Sequence, residues 1–129
     1  MSTIFGKIVS GEIPAHKIAE NEEFLAFLDA FPCREGHTLV IPKKETDYLF
    51  DLDDEAYGKL FAFAKTLEPA IKKAVPCTKV GLAVVGLEVP HVHVHLIPMD
   101  HISDMDFTSK LKVSQEELAA TAERIRSSL

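Results

Sequence analysis

The segment His91-Val92-His93-Val94-His95-Leu96-Ile97 sets three imidazoles at alternate positions. Strand side chains alternate with a period of two, so His91, His93 and His95 would share one face, roughly 6.6–7 Å apart. Val92, Val94 and Leu96 fall on the opposite face, suited to packing under a helix. An imidazole-lined face is costly unless it meets water, a ligand or a metal. Three of six histidines within five positions argue against plain core residues.

Two chemistries suit such a face. Alternating histidines can bind a transition metal, with His37, Glu88, Asp100, His101 or Asp104 as further ligands. Alternatively, one histidine attacks phosphorus. That nucleophile must be a neutral imidazole with one free nitrogen, its other nitrogen donating to a fixed acceptor. Flanking imidazoles then donate to phosphate oxygens, where transition-state charge gathers.

The remaining sequence must position this segment. Ser2 and Thr3 can cap a short helix over Ile4 to Val9, ended by Gly11 and Pro14. Lys17 to Glu20 and Phe24 to Asp29 read as a hairpin. Gly36 to Pro42 alternates as a strand, with His37, Leu39 and Ile41 on one face. Asp51 and Asp53 offer caps for one long helix, whose stripe runs from Ala56 through Leu60, Ala64, Leu67 and Ile71 to Val75. Pro69 inside it predicts a kink or local break. Lys79 to Val85 is a near-continuous apolar strand, so both its faces are expected to be covered. Pro90 to Ile97 is the last strand, and Ser114 with Glu117 forms a capping box opening a C-terminal helix toward Arg126. Met99 to Val113 reads as an irregular tail. The sum is α+β: about five antiparallel strands, one long helix, and short or terminal helices.

Length and composition narrow the class. The chain has 129 residues, no repeat and no linker, so residues 1–129 are expected to form one domain. A net charge of −6 argues against polymeric nucleic acid, while a single nucleotide needs only a local site. The longest run free of Asp, Glu, Lys and Arg, Val89 to Met99, is far below the about 20 apolar residues of a spanning helix. Cys33 and Cys77 are too few for a disulfide framework, and a cytoplasmic setting is the expectation.

The triad segment resembles the signature of the histidine triad (HIT) nucleotide-binding family. Ile4-Phe5-Gly6-Lys7-Ile8, Glu12-Ile13-Pro14-Ala15, Phe27-Leu28-Asp29 and Gly36-His37-Thr38-Leu39-Val40-Ile41-Pro42-Lys43-Lys44 resemble the family's Hint branch, in order. The resemblance implies a HIT fold and a nucleotide hydrolase or transferase needing no metal or other cofactor. By that resemblance it would act on purine mononucleotide phosphoramidates or related esters. By the same resemblance, His93 would attack the α-phosphorus. His91 and His95 would orient it and bind phosphate oxygens, and His37 would support them. Asp29 would hold the ribose hydroxyls, and Phe5, Ile8, Ile13 and Phe27 would wall the base pocket. It also implies a homodimer joined sheet edge to sheet edge.

The chain departs from the family where Leu87 and Glu88 stand in place of the usual Gln and Ser or Thr. A carboxylate there either repels phosphate, or is held protonated by burial as a proton donor, or turns to solvent. The first case allows a nucleotide sensor with little turnover. Thr3 and Gly6 stand where some bacterial relatives carry a zinc-binding Cys pair, so that zinc is not expected.

Overall fold

The structure, a computed structural model, describes residues 2–129. Thr3 caps α1 (Ile4–Ser10) by accepting from the Gly6 N–H, and Gly11, at φ 86°, closes it. Strands β1 (Lys17–Glu20) and β2 (Phe24–Leu28) form a hairpin, tightened by Asn21 Oδ1, which accepts from the Glu23 and Phe24 N–H groups. β3 (Thr38–Pro42) follows, then α2 (Asp54–Ala74), β4 (Lys79–Ala83), β5 (Val94–Met99) and α3 (Gln115–Arg126). The strands make one antiparallel sheet in the order β1-β2-β3-β5-β4. The α+β expectation is met.

One face of the sheet carries the larger core. Val40, Val92, Val94 and Leu96 pack there against Leu60, Ala64, Leu67 and Ile71 of α2 and Leu118, Ala122 and Ile125 of α3. The opposite face carries Leu25, Phe27, Leu39 and Ile41, covered by Phe5 and Ile8 of α1. The expected alternation of β3 and β5 therefore holds. Among the described residues, no helix is long and apolar enough to cross a membrane.

Four expectations are corrected. α2 runs without a local break through Pro69, so its packed stripe outweighs the lost hydrogen bond. Its cap is Asp53, which accepts from the Ala56 N–H, while Asp51 ends a 3₁₀ turn at Leu49–Asp51. β4 is not covered on both faces: it is an edge strand, and Leu82 is 47% exposed. The last strand starts at Val94 rather than Pro90. Pro90 has no N–H, the His91 N–H folds back to the Val89 carbonyl, and the Val92 N–H goes to Thr46. His91 and His93 thus sit on an irregular lead-in to the sheet.

Candidate functional site

The lead-in fixes the first two histidines through the backbone. The His91 ring is fully buried and held at both ends, Nε2 against the Pro42 carbonyl (2.8 Å) and Nδ1 against the Thr3 hydroxyl (2.7 Å). A carbonyl only accepts, so Nε2 carries hydrogen and Nδ1 accepts from Thr3. This ring clamps the start of α1 to the end of β3 and does not line the cavity described next, contrary to a shared triad face. The His91 carbonyl accepts from Nδ1 of His93 at 2.6 Å. Nε2 of His93 is thereby left as a lone-pair nitrogen. Among the described residues no fully enclosed side-chain polar atom lacks a partner, so Nε2, which bonds to none of those residues, faces open space.

A chain of hydrogen bonds sets the third histidine. The Cys33 N–H donates to Nδ1 of His37 (3.0 Å), and Nε2 of His37 meets Nδ1 of His95 (2.9 Å). A backbone N–H only donates, so His37 must carry its hydrogen on Nε2 and give it to His95. His95 then presents Nε2–H as a donor. Gly36, at φ 87°, makes the turn that delivers His37, and a Cβ there would meet Val75 Cγ2 at 2.9 Å.

Electrostatics hold these rings neutral. Burial lowers His37 to about 3, aided by His95, and burial lowers His95 to about 4, aided by His93. Burial also lowers His93, opposed by its bond to the His91 carbonyl and by Asp29. Asp29, between β2 and β3, is raised by burial, while its bond from the Phe31 N–H pulls the other way.

A cavity of about 400 Å³ opens beside His93 and His95. Phe5, Ile8, Ile13, Phe27 and Asp29 all line it. Phe5 also meets the His93 ring edge-on at 5.0 Å. A second cavity of about 230 Å³ also reaches His93 and His95, bounded by Val85 to Glu88, Phe107, Thr108 and Lys110. The triad is not an open face: His93 and His95 are 5% and 6% exposed, at the floor of these cavities.

Glu88 lines both cavities, but its side chain is 77% exposed, 3.8 Å from Lys110. The burial on which its proton-donor role depended is absent. Sequence reasoning missed Lys110, Phe107 and Gln115, which come from the tail and the start of α3. Phe107 packs on His95 (4.7 Å between ring centroids), and Gln115 meets His16 at 2.7 Å on the rim. Irregular backbone has no period, so no pattern announced them; the nearest signal was the pair Lys110 and Lys112 ahead of the Ser114 cap.

Among the described residues, Asp29, His37 and His95 place ligand atoms within 4.8 Å of one another, close enough to share an ion. Both His37 nitrogens are already engaged, Nε2 with His95 and Nδ1 with the Cys33 N–H, so His37 has no free nitrogen to give an ion. Asp100 and Asp104 are turned to Arg34, away from the triad.

The HIT domain family model matches residues 10–102. An uncharacterized HIT-like protein of Mycoplasma pneumoniae is 42% identical over 102 residues, 74% of this chain and 69% of that protein. The adenosine 5'-monophosphoramidase hnt1 of Schizosaccharomyces pombe is 35% identical over 133 residues, covering 100% of this chain and 99% of that one. A Hit-like protein from Bartonella henselae, crystallised with an unknown ligand, superposes with a TM-score of 0.86 at 30% identity, over 99% of this chain and 97% of that one.

Proposed function

The chain belongs to the HIT domain family, and from that premise we propose that it is a nucleotide hydrolase or transferase working through a nucleotidyl-histidine. Its substrate is a purine mononucleotide phosphoramidate or a related ester. The observation that carries this reading is the free Nε2 of His93, held neutral at the floor of a cavity with Nδ1 locked to the His91 carbonyl.

Nε2 attacks the α-phosphorus; a nitrogen–phosphorus bond forms and the bond to the leaving group breaks. Water then attacks the same phosphorus and frees the imidazole. The Nε2–H of His95 donates to a non-bridging oxygen, and His37 and the Cys33 N–H fix its tautomer. His91 acts through its carbonyl and its clamp on Thr3. Asp29 accepts from the ribose hydroxyls, and Phe5, Ile8, Ile13 and Phe27 flank the base. The phosphoramidase named in Schizosaccharomyces pombe supports the substrate class.

The same reading includes a homodimer joined through β4. This strand has an unpaired edge, Leu82 and Val85 are exposed on or beside it, and Tyr48 and Phe50 stand exposed nearby. Leu82→Lys should shift the mass measured by light scattering toward the monomer.

The deciding experiment is intact-protein mass spectrometry after mixing with an adenylyl phosphoramidate. An adenylyl adduct that maps to His93 is expected. An adduct elsewhere, or turnover that survives loss of His93, overturns the assignment. The exposed Leu87 and Glu88 favour one rival, a sensor that binds nucleotide without turnover. Binding of AMP without cleavage of the amide would favour that rival.

A further inference from the structure

The two cavities share an electrostatic imbalance. A substrate phosphate beside His93 would face the carboxylates of Asp29 and Glu88 and imidazoles that burial keeps neutral. Among the described residues that line either cavity, Lys110 is the one lysine or arginine. It lines both, together with His93 and His95.

Lys110 lies outside the matched family segment, on the strap between β5 and α3, yet it is not loosely placed. On one side, Phe107 packs against the His95 ring, and the Asp106 carbonyl accepts from the Cys33 thiol at 3.4 Å. On the other, the Leu111 N–H donates to the Pro32 carbonyl at 2.8 Å. The strap is thus tied down on both sides of Lys110, to the loop that also orients His37. Its side chain is 30% exposed, and its ion-pair partner is Glu88, at 3.8 Å.

Resting on the nucleotide reading above, we infer that Lys110 is the cation that binds the substrate's α-phosphate, and that Glu88 holds it in the empty site and competes with the phosphate for it. The departure before the triad then has a compensation in the tail. Polar groups that Leu87 and Glu88 no longer supply are replaced by an ammonium from another element. The site should favour ligands with an anionic phosphate over neutral nucleosides, more strongly at low salt.

The test is calorimetric titration of wild-type protein, Lys110→Met, Lys110→Arg and Glu88→Gln with AMP and with adenosine, at two salt concentrations. Charge-assisted hydrogen bonds predict that Lys110→Met weakens AMP roughly tenfold to a hundredfold and leaves adenosine unchanged. Lys110→Arg should retain most of the AMP affinity. Glu88→Gln should strengthen AMP binding a few-fold, with the gain absent when Lys110→Met is also present. Equal loss for AMP and adenosine in Lys110→Met overturns the inference in favour of simple packing. Unchanged AMP affinity in that variant overturns it alone, with the nucleotide reading intact. Wild-type protein that binds neither ligand overturns both.

Discussion

The two faces of the sheet are held by different physics. Beneath α2 and α3, Val40, Val92, Val94 and Leu96 belong to one continuous buried apolar cluster. On the other face, Phe27 and Leu39 share their surroundings with His93 and His95, and the packing stops at a cavity. The helix side tolerates apolar side chains of similar volume, because dispersion and burial are non-directional. The histidine side depends on direction: one carbonyl fixes His93, and one N–H, from Cys33, fixes His37 and through it His95. Substitutions should therefore separate function from stability by face.

The sharpest separation should come from His93→Ala. It removes the attacking nitrogen and should lower turnover of an adenylyl amide by at least about a thousandfold. Nucleotide binding should be nearly kept, because Asp29 and the apolar wall remain, while the urea midpoint should fall modestly with loss of the buried ring and its bond to the His91 carbonyl. Loss of binding in step with rate would instead make His93 a structural residue.

The converse variant is Leu60→Ala, at a fully buried position of α2. It should cost about 2–5 kcal/mol in urea denaturation. The folded fraction should keep wild-type affinity for AMP. A changed affinity would show that the two faces are coupled.

Asp29→Asn should discriminate within the site. It should weaken ribonucleotide binding by about 1.5–3 kcal/mol and weaken 2′-deoxynucleotides less. Equal losses for the two ligands would remove the ribose assignment.

The most gradual effect is on acid stability. His37 and His95 have folded values near 3 and 4, below the ordinary 6.5. The unfolded chain therefore binds more protons as pH falls through that window. Their stabilisation is complete above about 6.5 and is lost progressively toward about 4 and then 3, by at most about 1.4 kcal/mol per pH unit for each. Asp29, raised by burial, acts in the opposite sense at the acid end. Urea midpoints from pH 8 to pH 4.5 should fall below about 6.5, with a shallower slope in His37→Asn. An unchanged slope in that variant would show that His37 is not the group titrated.

Much of this was legible in the residues themselves. Alternation placed Val92, Val94 and Leu96 on the helix side and Leu39 and Ile41 on the other, because a strand's period is a property of its own backbone. Caps at Thr3, Asp53 and Ser114 were readable because a cap is a contact between near neighbours. The resemblance brought Phe5, Ile8, Ile13, Phe27 and Asp29 to one cavity, as the structure also does.

Other features depended on contacts distant in sequence. Whether β4 was covered or open depended on its order in the sheet, and the end of that order left Leu82 exposed. The histidine triplet alone suggested three rings sharing one face. The turn at Pro90 and the bond from Val92 to Thr46 instead sent His91 into a clamp and left His93 and His95 at the cavity. Lys110 reached the site because the strap is tied to Pro32 and Cys33, far back in the chain. Periodicity and capping record energies between residues a few positions apart, so the sequence carries them openly. Tautomers, edge exposure and the charge beside His93 record meetings across the fold, and only the packed chain brings those groups together.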